Sequence, residues 1–392
     1  MTSGTQQRGS GLESISERAN KMRVAVIGVG GTGSATCRFL AKRGHSVVGY
    51  ERFRVGHERG SSHGESRIIR YTYPDMLYTQ MMGDAYPLWA ELEAEAGEEL
   101  LARCGGLYFG KNDEPSIHET ERALIGAGLP YDKLTAHEVE SRFPAFRLTD
   151  DETALYQPES GLLRATRCVL ANARLAEKAG AVLREETVVT EIVTLGGEVI
   201  VRTDSGEESV FDRVIVTAGA WMGELFTRLH LPLTITRQQV TYLNIAQNPT
   251  HFEKGSLPVW IDATTLYYGF PNDGRITGAK IASHVLGESV DPNAPKRDVD
   301  SDYIEAVRDY ARMRLPDLSG EVTYQTTCLY TVTPNEDFIL DRVPESPNVW
   351  LVSGCSGHGF KFTVLLGKIV SQLALGETYG RDLSRFRIRG FD

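Results

Sequence analysis

Residues Arg23 to Glu51 read RVAVIGVGGTGSATCRFLAKRGHSVVGYE, and this stretch decides the fold. Arg23-Val24-Ala25-Val26-Ile27 is a short apolar run rich in β-branched residues, as expected of a strand buried in a parallel sheet. Gly28, Gly30 and Gly33 follow in the spacing G-x-G-x-x-G. The first glycine permits a tight turn, the second lets backbone approach a pyrophosphate, and the third lets helix and strand pack closely. The sequence from Thr32 to Arg43 predicts that helix, with Gly44 stopping it. Its free N–H groups and the positive end of its dipole face the phosphates. Ser46 to Tyr50 reads as a second strand with Glu51 at its end. A carboxylate there accepts hydrogen bonds from both ribose hydroxyls and repels a 2′-phosphate. An unrelated α/β protein with a glycine-rich turn would share the glycines. The strand, the helix and the acid about 20 residues on are the context the motif requires. The motif by itself leaves NAD and FAD both open.

The chain has 392 residues, enough for two domains and a large core. Its apolar fraction of 41% and charged fraction of 24% are those of an ordinary soluble globular protein. A net charge of -10 argues against nucleic acid as the main partner, because a phosphate backbone needs basic surface. A local basic pocket for a small anion is compatible with it. No apolar run approaches the roughly 18 residues of a membrane span, so no membrane partner is expected. Cys37, Cys104, Cys168, Cys328 and Cys355 are far apart and without paired spacing, which points to neither a disulfide framework nor a zinc site. The histidines show no metal-ligand spacing either. Residues 1–22 are polar, carry Arg8 and Arg18, and lack an apolar h-region. They read as a mobile tail or a short lead-in helix, and the cytoplasm is the expected compartment.

Arg52 to Ser66 is rich in glycine, serine and histidine and reads as a loop. Arg67-Ile68-Ile69-Arg70 places two guanidiniums three residues apart. On a helix they would share a face, while the isoleucine pair between them indicates a buried edge. Met76 to Gly97 has helical periodicity with Met81, Ala85, Leu88, Trp89 and Leu92 as its stripe. Thr135 to Phe143 reads as a helix opened by a threonine cap with Glu138 at the third position. Ala165 to Ala179 is a further helix. Thr187–Val193 and Glu198–Thr203 flank Leu195-Gly196-Gly197, a hairpin signal. Phe211 to Ala218 reads as one buried strand. Gln238 to Ile245 reads as a strand with an exposed face, and Arg275 to Lys280 as one strand of a meander. Val299 to Arg314 and Lys361 to Leu375 read as helices. Parallel β/α elements at both ends, with antiparallel strands between, imply a Rossmann-like nucleotide-binding domain assembled from discontinuous pieces. Its expected pieces are 23–100, 160–236 and 330–392, with a mostly antiparallel substrate-binding domain at 101–159 and 237–329.

Three further pieces carry possible chemistry. Tyr268-Gly269-Phe270-Pro271 precedes Lys280 and His284. A lysine within strand residues is either solvent-facing or, if buried, expensive unless paired or functional. Spacing alone leaves both readings open. Cys328 in Thr326-Thr327-Cys328-Leu329-Tyr330 reads by itself as a small buried hydrophobe. Gly357-His358-Gly359-Phe360-Lys361 lies at a strand end before a helix, where ligands bind in such sheets. Ser356 nearby does not make a hydrolase elbow, because the second glycine of G-x-S-x-G is missing.

Together these pieces resemble the monomeric sarcosine oxidase and N-methyltryptophan oxidase family of flavoproteins, within the wider D-amino-acid-oxidase-like group. The resemblance runs from about residue 23 to the C-terminus. It rests on GVGGTG with Glu51, GSSHGESRIIR, YGFP with K-x-x-x-H, CLYTVTPNEDFILD and SGHGFKF, all in family order. It implies FAD rather than NAD, held at Gly28, Gly30, Gly33, Glu51, Arg52, Ser61, Ser62, Arg67, Gly357, Gly359, Phe360 and Lys361. It further implies a thioether from Cys328 to the flavin and a lysine, Lys280, that activates O₂. Arg70 and Lys361 match the pair that binds the substrate carboxylate. Arg67 and His63 match residues beside the flavin ring, and His284, His358 and Tyr268 match residues of the substrate cavity.

Elementary chemistry agrees with these implied roles. Hydride transfer from an amine needs a neutral nitrogen close to the ring and well aligned. Two cations on the carboxylate fix that alignment and disfavour the ammonium. Lys280 can stabilise negative charge developing on O₂. The sequence shows no second dinucleotide fingerprint for NADPH. The expected enzyme is therefore an FAD-dependent oxidase of a secondary amine bearing a carboxylate, an N-methyl or cyclic amino acid, with H₂O₂ as product. The alternative is a flavin dehydrogenase or a biosynthetic amine oxidase acting on a larger substrate. The expected partners are a small amine and O₂, with the chain a monomer or homodimer.

Overall fold

The glycine stretch folds as strand, turn, helix and strand: Arg23–Ile27, the turn at Gly28, Gly31–Lys42 and Ser46–Tyr50. The structure, a computed structural model, describes residues 21–294 and 298–388. The expected tail therefore falls almost wholly outside the described residues, as does the end of the last expected domain piece. Arg23–Ile27 pairs in parallel with Ser46–Tyr50 on one side and Arg213–Val216 on the other. The whole sheet has six strands in the order Ile339–Val343, Ser346–Ser353, Arg213–Val216, Arg23–Ile27, Ser46–Tyr50 and Val182–Arg184. Only Ile339–Val343 at the edge is antiparallel to its neighbour.

Both faces of this sheet are covered, which explains its unbroken apolar strands. Val24 and Val26 pack with the helices Gly31–Lys42, Met76–Ala96 and Thr363–Ala374. Ala25 and Ile27, pointing the other way, pack with Val199, Val201 and Phe211 of a three-stranded antiparallel sheet. That sheet contains the expected hairpin, with Gly196 and Gly197 both at positive φ. The single strand read at Phe211–Ala218 is in fact two, Glu208–Phe211 and Arg213–Val216. The break falls at Asp212, whose carboxylate accepts from the Arg23 N–H and whose own N–H donates to the Arg23 carbonyl. The chain thereby leaves one sheet and enters the other within a single residue.

An eight-stranded sheet forms the second layer system, in the order Leu318–Val332, Thr234–Ile245, Ala279–Ser283, Tyr267–Phe270, Val259–Asp262, Gly106–Lys111, Glu152–Gln157 and Asp132–Thr135. Its core joins Phe109, Phe146, Trp260 and Tyr310, backed by the helix Ser301–Arg314. Arg314 pairs with buried Glu152 through two hydrogen bonds of 2.6 and 2.5 Å. Two readings are corrected here. Gln238–Ile245 is not an exposed face: it lies between two strands, and Val240, Thr241, Tyr242 and Leu243 are buried. The strand placed at Arg275–Lys280 begins at Ala279 and continues to Ser283. Arg67–Ile69 is extended, on the edge of a small sheet with Gly161–Leu163 and Leu101–Arg103, so the helical option for the two arginines falls away.

Candidate active site: a dinucleotide cleft opening on a cationic cavity

Two cavities meet between the six-stranded and eight-stranded sheets. The first, of about 350 Å³, starts at Gly28 and Gly30 and runs past Glu51, Arg52, Ser61 and Ser62 to Gly357, Gly359 and Phe360. The second, of about 470 Å³, holds Arg70, Tyr268, Lys280, His284, Cys328, His358 and Lys361. Arg67, Tyr330, Gly357 and Phe360 line both.

The first cavity fits a dinucleotide on its own geometry. Gly28 has φ +90°, and a Cβ there would stand 2.7 Å from the Thr217 carbonyl oxygen. A Cβ on Gly33 would stand 1.9 Å from the Gly28 oxygen, so the helix can pack this closely only with glycine. Gly33 accordingly lies under the turn and does not line the cavity. Ser62 accepts from the Gly31 N–H at 3.0 Å, fixing the loop over the helix start. The Glu51 carboxylate accepts from the N–H groups of Val29 (2.8 Å) and Phe53 (3.0 Å) and lies 3.5 Å from His57. Burial alone would raise its pKa, but these partners together hold it lowered and the group ionised. Arg52 forms a wall, paired with Glu224 at 2.9 Å and lying over Trp221. Ser61 donates to the Leu329 carbonyl at 2.6 Å, tying the loop to the eight-stranded sheet. Gly357, at φ +77°, leaves room for the Tyr330 ring, which a Cβ would approach to 2.1 Å. His63 is buried but lines neither cavity.

The second cavity is a concentration of buried positive charge. Among the described residues Lys280 Nζ donates only to the carbonyl and hydroxyl of Ser66, both at 3.2 Å, and it lies 4.4 Å from the Phe270 ring centroid. Lys361 Nζ donates to the Tyr73 hydroxyl (2.9 Å) and the His358 carbonyl (2.7 Å). Arg70 donates to Thr72 and lies over the rings of Tyr73 and Tyr108. Arg67 donates to the carbonyls of Ser66 and Ser61. Among the described residues none of these four cations is paired with a carboxylate. Burial, then Arg67, holds the Lys280 pKa well below the usual lysine range. Burial, then Arg70, does the same to Lys361. His284 is pushed down to about 4 by burial and by Arg70 and Lys361. His358, between the Tyr73 hydroxyl and the Glu336 carbonyl, is likewise lowered by burial and Lys361. Unbalanced buried cations are costly, and an anionic occupant offsets that cost.

Sequence reasoning passed over Tyr330, Ser66 and Tyr73. Tyr330 was within reach: it stands two residues from Cys328 on one strand, hence on the same face. Ser66 and Tyr73 flank the two arginines, but only their contacts mark them out.

A cradle for a dinucleotide beside a cavity of buried cations defines a flavin-dependent oxidoreductase site. The chain belongs to the family described as FAD dependent oxidoreductase, which matches residues 23–373. It is 36% identical to a monomeric sarcosine oxidase of Streptomyces avermitilis, covering 93% of this chain and 96% of that one. It is 32% identical to an N-methyl-L-tryptophan oxidase of Yersinia pestis, covering 93% and 98%. Among solved structures it resembles NikD, an unusual amino acid oxidase essential for nikkomycin biosynthesis, at 25% identity and a TM-score of 0.81, covering 94% of this chain and 97% of that one. The expected fold and the expected cofactor are those of the family. No helix among the described residues is long and apolar enough to cross a membrane.

Proposed function

We propose that this chain is an FAD-dependent oxidase of a secondary amine bearing a carboxylate, an N-methyl or cyclic amino acid, with O₂ as acceptor. The observation that carries the reading is the cluster of Arg67, Arg70, Lys280 and Lys361 around the second cavity, none of them paired with a carboxylate among the described residues. When bound, FAD supplies the hydride acceptor for the amine carbon and the electrons for O₂. Arg70 and Lys361 hold the substrate carboxylate, and their charge favours the neutral amine. Arg67 and Lys280 face the redox side, where negative charge develops. His284 and His358, kept neutral, shape the cavity without adding to its charge. Tyr268 and Tyr330 both form part of the cavity wall. His63, buried nearby, is assigned a supporting place beside the ring. Gly28, Gly30, Gly33, Glu51, Arg52, Ser61, Ser62, Gly357, Gly359 and Phe360 are assigned to the cofactor.

Cys328 is assigned the thioether to the flavin; the support is its position in the wall of the second cavity, two residues before Tyr330. Flavin that separates completely from acid-precipitated protein would refute the linkage. The five cysteines stand unpaired, in keeping with action in a reducing cytoplasm; the chain is assigned as a monomer or homodimer. A peroxide-coupled screen of sarcosine, other N-methyl amino acids, L-proline, pipecolate and glycated amino acids on the yellow protein tests the function. Turnover of none of them, or reduction of dyes without peroxide, overturns the oxidase reading. One observation favours the second reading, a biosynthetic oxidase or dehydrogenase with a larger substrate. The second cavity falls within the roughly 300–1,000 Å³ of sites for drug-sized ligands.

A further inference from the structure

The chain after the helix Thr363–Ala374 returns along the helix Met76–Ala96 and brings one side chain, Arg385, to the wall of the second cavity. Two contacts besides Arg385 tie this segment down. Arg381 donates to both oxygens of Asp84, at 2.6 and 2.9 Å, and Phe386 is fully buried against Tyr78 and Phe338. Arg385 itself bridges two carboxylates that line the same cavity. Its Nε and one terminal nitrogen stand 2.9 and 2.8 Å from the two oxygens of Asp337, a forked pair. Its other terminal nitrogen donates to Asp75 at 2.5 Å. Asp75 caps the helix Met76–Ala96 with its second oxygen, and Asp337 is 5% exposed. Burial works against the guanidinium charge, but the two carboxylates hold the Arg385 pKa above its usual range.

A layer of aromatic rings joins this group to the residues assigned to the substrate carboxylate. The Tyr78 hydroxyl donates to Asp337 at 2.8 Å. The Tyr78 ring stacks on Tyr73, centroids 5.4 Å apart, and meets His358 edge-on at 5.1 Å. The Tyr73 hydroxyl accepts from Lys361 at 2.9 Å, and Arg70 lies 4.2 Å from the Tyr73 ring centroid.

Resting on the oxidase reading above, we propose that Arg385 is a positioning residue of the substrate-carboxylate site: it offsets the charge of Asp75 and Asp337, so that the field of Arg70 and Lys361 is left for the substrate. Charges act strongly across packed rings that exclude water. Uncompensated, the two carboxylates would repel a substrate carboxylate and cancel part of the attraction of the two cations. With Arg385 between them, their excess is one negative charge instead of two. Two other carboxylates line the cavity. Glu114 accepts from the Ser116 hydroxyl at 3.0 Å, and burial raises the pKa of Glu336. Neither is bonded to Tyr73 or Tyr78 among the described residues.

The test titrates oxidised holoenzyme with acetate and with its neutral analogue acetamide, followed by the flavin absorbance. Wild type is compared with Arg385→Gln, Arg385→Lys, Asp337→Asn and the double variant Arg385→Gln/Asp337→Asn. At about pH 8 Asp337 keeps its charge in Arg385→Gln, with Tyr78 and Asn335 still donating to it. Arg385→Gln should weaken acetate by roughly 5- to 20-fold and leave acetamide unchanged. Arg385→Lys, which keeps the charge without the fork, should recover most of that loss. Asp337→Asn should bind acetate at least as tightly as wild type. The double variant removes one charge of each sign and should return to within about twofold of wild type. Unchanged acetate affinity in Arg385→Gln overturns the proposal. So does equal weakening of acetate and acetamide, or a double variant as weak as Arg385→Gln, since both mark a packing role alone. Wild-type holoenzyme that binds acetate no more tightly than acetamide overturns instead the carboxylate clamp of the oxidase reading, and this proposal with it.

Discussion

Lys280, Lys361 and Arg70 are buried or half-buried and, among the described residues, have no carboxylate partner, and that is where substitution effects concentrate. Removing a charge that acts only while O₂ is being reduced should leave the preceding half-reaction nearly intact. Lys280→Met should therefore slow reoxidation by on the order of a hundredfold or more, with far less effect on anaerobic reduction by substrate. Rapid-mixing measurements of the two half-reactions decide this, and equal slowing of both would remove the assigned role. Arg70 and Lys361 act earlier. A hydrogen bond to a charged group contributes about 1.5–3 kcal/mol. Arg70→Gln and Lys361→Gln should each lower kcat/KM by roughly 10- to 150-fold. Both variants should also bind simple carboxylate inhibitors more weakly. Unchanged inhibitor affinity would place the carboxylate elsewhere in the cavity.

Elements whose logic is local were readable from the sequence. The glycine turn, the stripe of the helix Met76–Ala96 and the Thr135–Glu138 capping box all follow from residues a few positions apart, and all are present. Pairing between distant strands was not readable. Thr234–Ile245 finds its neighbour in Leu318–Val332, and nothing inside Gln238–Ile245 announces that both its edges are paired. Strand propensity reports fit to a surface, while partner and register are set by the rest of the chain. For that reason Lys280 kept two readings in the sequence, and its place opposite Tyr242 was invisible there. The glycine positions offer a test of opposite signs at this scale. Gly33→Ala forces a methyl group against the Gly28 oxygen and should destabilise by about 1–3 kcal/mol. It should also lower the flavin incorporated per chain, read from the visible-to-280 nm absorbance ratio of the purified protein. Gly83, exposed within Met76–Ala96, has open space around its missing Cβ. Gly83→Ala should stabilise by about 0.5–1 kcal/mol with flavin content unchanged. Thermal melts of the two variants check the signs, and a stabilising Gly33→Ala would contradict the packing described for the turn.

At the scale of the whole molecule, an acidic protein with a net charge of -10 encloses a cavity of cations. Stability should then depend on pH in two distinguishable steps. His284 has a folded pKa of about 4 against an ordinary value of 6.5. Between these values the unfolded chain binds the proton and the folded one does not, so stability falls as pH drops from about 6.5 towards 4. Glu51 works in the same direction but lower. Its folded pKa lies below its ordinary value of 4.5, so its contribution, present above 4.5, is lost as pH falls through the folded value. Urea unfolding of holoenzyme between pH 7.5 and 4 should therefore show a decline that begins near 6.5 and steepens below 4.5. His358, lowered from 6.5 in the same way, contributes to the same part of the decline, so His284→Gln should reduce the upper slope without abolishing it and leave the lower part. An unaltered upper slope in His284→Gln would mean that His284 is already protonated among Arg70 and Lys361, and the cavity would then hold one more positive charge than described.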